Sequence, residues 1–430
     1  MEKLQAPRGT FDVLPDEGFP RLRLLRIAEE TFGRAGYGPV ETPIFEATEL
    51  FERGVGETTD VVEKEMFTFE DQGGRSLTLR PEGTAGVCRA YVEHGMHKRP
   101  QPVKLWYWGP FFRYEAPQAG RYRQFTQVGV ESIGSDDPSL DAEAILLLAE
   151  LLERAGTRGV RLRISSLGTP ETRRAYSDEL REYLRAHEDE LSDEVRARLD
   201  RNPLRAFDSD HPGTAAALKG APRLIDRLSP ADANHFREVR ALLDAAGQEY
   251  VVDGTLVRGL DYYTRTVFEF ESTALGAQSA LGGGGRYDGL IEQLGGSPTP
   301  GVGWAAGIER ILLAAGDQKA AGQAVGVAGG ATATGAQEQQ RRGVYVALAD
   351  QERVHEAFAL ARELRARDVI ANIEQAGRSL KGQLKHADRV GAKYVVIFAD
   401  GIEIKDMVTG QQLTVASPQE AINVITAKRS

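Results

Sequence analysis

The sequence predicts an α+β protein in two parts: an antiparallel-sheet core interrupted by a helical insertion, then a small α/β unit. Three observations carry that expectation. Residues 315–341 are mostly Gly, Ala, Gln and Thr, with almost no large apolar side chain. Such a stretch buries too little surface to offset its ordering entropy, so it reads as a flexible linker between domains at 1–314 and 342–430. Beyond it, strand-spaced and helix-spaced apolar residues alternate. Before it, strand-like segments flank a charged, helical stretch from about 171 to 248.

Taken in order, a first helix is expected from about Pro20 to Gly36, with Leu22, Leu25, Ala28 and Phe32 on one face. Strand-like segments follow at 76–81, 103–114 and 123–134, with polar residues on one face as in antiparallel sheets. Pro203, Pro212, Pro222 and Pro230 read as breakers within the helical stretch. The sheet pattern resumes at Tyr250. In the terminal unit, Val344, Val346 and Leu348 alternate, and Val354, Phe358, Ala361 and Leu364 recur at helical spacing. Val369, Ala371 and Ile373 alternate again. Leu380, Leu384, Ala387 and Gly391 are helical, and Val395 to Phe398 is a continuous apolar run that suits a buried strand. Strand, helix, strand, helix, strand implies a partly parallel sheet.

Composition narrows the function. The chain has 430 residues, 41% hydrophobic and 27% charged, which excludes wholesale disorder. Its single cysteine, Cys88, excludes a disulfide framework and any multi-cysteine metal site, and reads as a small core residue on a helix. The seven histidines show no metal-binding spacing. With no long apolar run and no cleavable leader pattern, a cytoplasmic protein with no membrane partner is expected. A net charge of −10 argues against coating DNA. A local RNA contact stays open, because a basic patch can sit on an acidic protein.

Four arginines carry the chemistry: Arg113 (GPFFRYE), Arg121, Arg258 (TLVRGLDYYTR) and Arg310 (GVGWAAGIER). Arg121 falls in a loop, the others in segments that read as strand or helix start. A guanidinium in an apolar setting needs an anion, phosphate or carboxylate. A lone arginine of this kind is more simply an ion pair with Glu115, Glu131 or Glu269; four in one core favour a ligand. Gln127 and Glu131 share one face of a strand whose other face is Val128 and Val130. That face meets either water or a polar pocket. Glu82 and Thr84 lie in LRPEGTA, and Tyr262 and Tyr263 follow Arg258. The run LGGGGRYDGL, with Tyr287, matches neither a P-loop nor a dinucleotide fingerprint; by itself it is a tight turn.

In this order, these segments resemble a class II aminoacyl-tRNA synthetase, specifically the histidyl-tRNA synthetase family. GYGPVETPIFEATELFERGVGETTDVVEKEMFTF is similar to the dimer-forming first motif, with its proline at Pro43. WGPFFRYEAPQAGRYRQFTQVGVE resembles the second motif and GVGWAAGIERILL the third, while LVRGLDYYTRTVFEF and GGGGRYDGL resemble the histidine-specific segments. The linker is longer than the family pattern needs. The resemblance implies a class II catalytic core followed by an anticodon-binding domain, and a homodimer that uses L-histidine, ATP with its Mg2+, and histidine tRNA. It implies Arg113, Glu115, Arg121, Phe125 and Arg310 for ATP, with Arg113 and Arg258 catalytic. For histidine it implies Glu82, Thr84, Gln127, Glu131, Arg258, Tyr262, Tyr263 and Tyr287, with no protein side chain holding metal directly. On the terminal domain, Arg378, Lys381, Lys385 and Arg389 fall on one helix face, available to tRNA or simply solvated. A histidine-sensing regulatory subunit of ATP phosphoribosyltransferase is the rival reading. That paralogue typically lacks the terminal domain and degrades the ATP-binding arginines, whereas Arg113, Arg258 and Arg310 are all present here.

Overall fold

The computed structural model describes residues 4–316 and 341–427, apart from 57, 58, 60, 116–119, 201, 257, 277 and 278. The linker expected at 315–341 lies almost wholly outside the described residues. The chain falls into two compact units, Met1–Val327 and Ala328–Ser430.

The larger unit opens with helix α1 (Pro15–Arg34) and a short strand β1 (Gly38–Pro39). A small antiparallel sheet follows, with β2 (Phe45–Ala47), helix α2 (Thr48–Val55), β3 (Phe67–Glu70) and β4 (Ser76–Leu79), in spatial order β2-β4-β3. Helix α3 (Thr84–Glu93) leads to the long strands β5 (Val103–Phe112) and β6 (Gln124–Ile133). After helix α4 (Pro138–Ala155) and strand β7 (Val160–Ser166) comes the helical layer, α5 (Pro170–Arg185), α6 (Asp193–Arg198), α7 (Pro212–Leu218) and α8 (Pro230–Ala245). Strands β8 (Val251–Val252), β9 (Thr264–Ser272) and β10 (Ala280–Arg286), helix α9 (Leu290–Gln293), strand β11 (Gly301–Gly307) and helix α10 (Ile308–Ala314) complete the unit. The main sheet runs β1-β5-β6-β11-β10-β9-β7-β8. Only its edge strands β1 and β8 pair in parallel.

The period of two decides which face does what. Val128 and Val130 of β6, Phe268 of β9 and Trp304 of β11 point into a core closed by α1, α4, α8 and α10. Phe32, Trp304 and Phe268 are each at most 1% exposed, and burying one such side chain contributes about 1.5–3 kcal/mol. The opposite face carries Tyr107, Phe111 and Val267 and packs under Val87, Cys88 and Tyr91 of α3.

Several expectations need correction. Helix α1 starts at Pro15, which takes the first helical position, while the Glu17 side chain accepts the Leu14 N–H at 2.9 Å. Its inner face is Arg21, Leu24, Ala28, Thr31 and Phe32; Leu22 is 52% exposed. Two of the prolines of the helical layer open helices rather than break them: Pro212 and Pro230 begin α7 and α8, behind side-chain caps from His211 and Ser229, whereas Pro222 lies in a connection. The four-glycine run is no turn but the middle of β10, between β9 and β11.

The smaller unit holds β12 (Val344–Leu348), α11 (Val354–Ala366), β13 (Ala371–Ile373), α12 (Leu380–Arg389), β14 (Tyr394–Phe398), β15 (Ile402–Asp406), β16 (Gln412–Val415) and α13 (Pro418–Ala427). Its sheet runs β13-β12-β14-β15-β16, parallel across the first three strands and antiparallel after them. Helix α11 buries Ala357, Leu360, Ala361 and Leu364, so Val354 and Phe358 face outward.

Candidate active site

The polar face of the main sheet opens into a cleft with about 970 Å³ of space free of protein atoms, part of it continuous with solvent. Eleven of the residues singled out in the sequence line it: Glu82, Thr84, Arg113, Glu115, Arg121, Phe125, Gln127, Arg258, Tyr262, Tyr263 and Arg310. They come from strand ends, helix starts and loops around the sheet. Arg113 follows the last residue of β5, and Arg310 sits in the first turn of α10. Arg258 lies in the loop before β9, not on a strand.

At one side the four guanidinium groups gather. Nε of Arg113 donates to the Pro81 carbonyl at 2.9 Å, and its guanidinium lies 5.7 Å from the Phe125 ring centre. Arg121 pairs with Glu115 at 3.1 Å, and Arg258 pairs with Glu269 of β9. Burial lowers the Arg310 pKa, and the nearby Arg121 charge lowers it further. Burial is the largest influence on Arg258 and works to lower its pKa, but Glu269, Tyr263 and Tyr262 together outweigh it and the net shift is upward. Glycine lets the arginine lie so close: a Cβ at Gly283 would stand 2.5 Å from the Phe268 carbonyl oxygen and 3.1 Å from Nη1 of Arg258.

The other side is an amino-acid-sized polar corner. Glu82 accepts the N–H groups of Thr84 and Ala85, at 2.7 and 2.8 Å, where α3 begins. The Tyr262 hydroxyl reaches the same carboxylate at 3.4 Å. Tyr262 and Tyr263 pack ring to ring at 4.6 Å. Besides Oε2 of Glu115, which faces Arg121, two buried polar atoms on the cleft wall, Oε1 of Gln127 and Nε of Arg258, have no hydrogen-bond partner among the described residues. One is an acceptor and the other a donor.

Glu131 and Tyr287 do not line the cleft; they stand one layer behind it. Glu131 is fully buried, and its oxygens accept from the hydroxyls of Thr84 (2.8 Å), Tyr287 (2.7 Å) and, more distantly, Tyr107 (3.4 Å). Burial is the main cause that pushes its pKa up to about 8. A Cβ at Gly303 would fall 1.9 Å from Oε2 of Glu131, so glycine is required there. Tyr107 and Glu309 were not foreseen. Tyr107 faces Gly129, between Gln127 and Glu131. That register is unreadable from sequence because the long connection from β5 to β6 leaves it unset.

Pro43 lies away from the cleft, exposed beside Ile44 and Phe45, and the Phe45 ring meets Phe69 at 6.2 Å on the small sheet. On the smaller unit, Lys381, Lys385 and Arg389 project from α12 and are exposed. Arg378 precedes that helix and pairs with Glu374 at 3.2 Å, so it is not part of the helix face. No helix among the described residues is long and apolar enough to cross a membrane.

An antiparallel sheet with a cationic cleft beside an amino-acid corner defines a class II aminoacyl-tRNA synthetase fold. A family model described as histidyl-tRNA synthetase matches residues 9–311. The histidine–tRNA ligase of Halothermothrix orenii is 46% identical over 418 residues, 96% of this chain and 96% of that protein. That of Desulforamulus reducens is 46% identical over 98% of this chain and 99% of that protein. Among solved structures, apo histidyl-tRNA synthetase of S. aureus superposes with a TM-score of 0.78 at 34% identity, covering 98% of this chain and 99% of that one. A Bacillus halodurans protein described as an ATP phosphoribosyltransferase regulatory subunit/histidyl-tRNA synthetase gives 0.65 at 25% identity, covering 92% and 98%. The chain belongs to the histidyl-tRNA synthetase family.

Proposed function

We propose that this chain activates L-histidine with ATP and passes the histidyl group to the 3′ end of histidine tRNA. In the first step a carboxylate oxygen of histidine attacks the α-phosphorus, the bond to the β-phosphate oxygen breaks, and pyrophosphate leaves. In the second, a terminal ribose hydroxyl attacks the adenylate carbonyl and AMP leaves. Phosphoryl chemistry of this kind is positioning plus charge stabilisation, and fixed guanidinium groups supply both.

Arg113 binds the α-phosphate and Arg258 approaches it, with the carboxylate, from the opposite side. Arg310 holds the ATP tail and Arg121 the outer phosphates, which carry magnesium. Phe125 stacks on the adenine and Glu115 accepts from it. Glu82, Thr84 and Gln127 accept from the ammonium. The imidazole meets the Tyr263 hydroxyl on one nitrogen. On the other it meets Glu131, released when an imidazole N–H replaces the Thr84 hydroxyl, while Tyr262 and Tyr287 brace the slot. One observation carries this reading: an unpartnered acceptor on Gln127 and an unpartnered donor on Arg258 share a cleft wall. Those are the two complements an amino acid's ammonium and carboxylate require.

Away from the cleft, exposed Pro43, Ile44, Phe45 and Phe69 meet a second copy of the chain, and Lys381, Lys385 and Arg389 meet tRNA phosphates. Pyrophosphate exchange with each of the twenty amino acids tests the central claim. Exchange supported by histidine alone is expected, and exchange with another amino acid or with none rejects it.

A further inference from the structure

The two tyrosines of the cleft are carried by irregular backbone. Gly285 pairs with Val267, yet Arg286 pairs with Thr264, so Arg265 and Thr266 form a bulge in the pairing of β9 with β10. Arg265 has φ of 44°, a left-handed conformation that a residue with a side chain rarely adopts. A bulge re-aims neighbouring side chains, and this one begins two residues after Tyr263.

The helical layer holds this stretch in place from three directions. Nε of Arg265 donates to Asp232 at 3.2 Å, and its Nη1 lies 3.9 Å from Asp288. Asp232, in the first turn of α8, is 1% exposed; its other oxygen accepts from the Ser229 hydroxyl at 2.9 Å and the Thr169 N–H at 3.2 Å. The Arg265 backbone exchanges hydrogen bonds with the approach to α5, its N–H to Gly168 at 2.8 Å and its carbonyl from Leu167 at 2.7 Å. Arg173, on α5 itself, donates from Nη1 to the carbonyl of Tyr263 at 2.8 Å and to that of Asp261 at 3.3 Å. Neither Arg173 nor Arg265 lines the cleft.

We propose that Arg173 and Arg265 are positioning residues for amino-acid recognition, transmitting the placement of α5 and α8 to Tyr262 and Tyr263. The proposal rests on the reading that these tyrosines meet the histidine. The helical layer then acts on the histidine corner while leaving the ATP side, built on β5, β6 and α10, unaffected.

The test is pyrophosphate exchange by the full chain, with the KM for histidine and for ATP measured separately and a thermal melt for each variant. Arg173→Ala and Arg265→Ala are expected to raise the histidine KM about tenfold while the ATP KM stays within about twofold. Asp232→Asn should reproduce Arg265→Ala, and Arg173→Lys should recover most of the loss because it restores one donor to the carbonyls. Tyr263→Phe is the reference. If it raises the histidine KM while both arginine variants leave it unchanged, the positioning proposal falls. Loss of both KM values together also overturns it, since that is general destabilisation. If Tyr263→Phe itself has no effect, the reading of the tyrosines fails first. Should Arg265→Ala not fold, Arg173→Ala and Arg173→Lys decide the matter alone.

Discussion

Glu131 in the larger unit and Glu374 in the smaller are both nearly sealed from water, at 0% and 5% exposed, yet their protons behave oppositely. Burial raises the Glu131 pKa to about 8, and its hydrogen bonds, all from neutral hydroxyls, do not offset that. Burial pushes Glu374 the same way, but the Tyr345 hydroxyl, the N–H groups of Ala376 and Arg378, and the Arg378 guanidinium pull it down to about 2. Burial alone therefore does not set the charge; the donors do. The smaller unit spends an arginine on its own carboxylate to hold a loop. The larger unit places four arginines on the cleft and leaves Glu131 with hydroxyls only.

That contrast breaks most visibly at Arg258. Its guanidinium pairs with Glu269, on the cleft wall. Arg258→Ala is expected to slow adenylate formation about 10²–10³-fold, with a modest change in histidine binding, as for loss of one preorganised charge donor. Single-turnover pyrophosphate release measures it, and a normal rate removes Arg258 from the chemistry.

Glu131→Ala comes next. It removes the acceptor for Thr84 and Tyr287 and for the imidazole. An unpaired buried group costs about 1–3 kcal/mol, so the histidine KM should rise about five- to 150-fold, far more than the ATP KM. An equal loss for both substrates would count against the assignment.

The charge contrast has its own pH signature. Folded Glu131 holds a proton up to about 8, whereas the unfolded chain releases it near 4.5. Its contribution to stability is therefore complete below pH 4.5 and lost as pH rises to about 8. Glu374 has the opposite sign: its contribution is present above 4.5 and lost as pH falls toward 2. Melts of Glu131→Gln should drop less between pH 5 and 8 than those of the parent, by roughly 5 °C. Glu374→Gln should instead flatten the acid limb below pH 4.5. Parallel curves for parent and Glu131→Gln would mean that Glu131 is ionised in the fold.

What the sequence made legible follows from which patterns are local. The strands β5, β6 and β9 were readable because alternation is a property of one segment. The face of β6 was not. Val128 and Val130 could be seen to oppose Gln127 and Glu131, but whether the polar side met water or a pocket depends on α3 lying over it. The glycines of β10 were opaque for a related reason. Their need arises from neighbours on other strands, Phe268 before the run and Gly303 after it. The cleft arginines were found by residue type and motif. Tyr107, Arg173 and Arg265 were not, because their value lies in a register, a carbonyl and a bulge that no local pattern encodes.

The smallest expected effect lies on α12, and it sharpens the same contrast between cations that are spent and cations that are kept. Arg378 is engaged by Glu374, whereas Lys381, Lys385 and Arg389 follow one another at four-residue steps along the exposed face. Each phosphate contact releases a condensed counterion, so log affinity for RNA falls with log salt by about 0.7–0.9 per contact. Lys381→Gln with Lys385→Gln should therefore lower the salt slope of tRNA binding by about 1.5, with affinity for all tRNA sequences weakened alike. Arg378→Gln should leave the slope unchanged, because its charge is already matched within the fold. A slope lost on Arg378→Gln and kept in the lysine variant would reverse the assignment and place the RNA on the Glu374 loop.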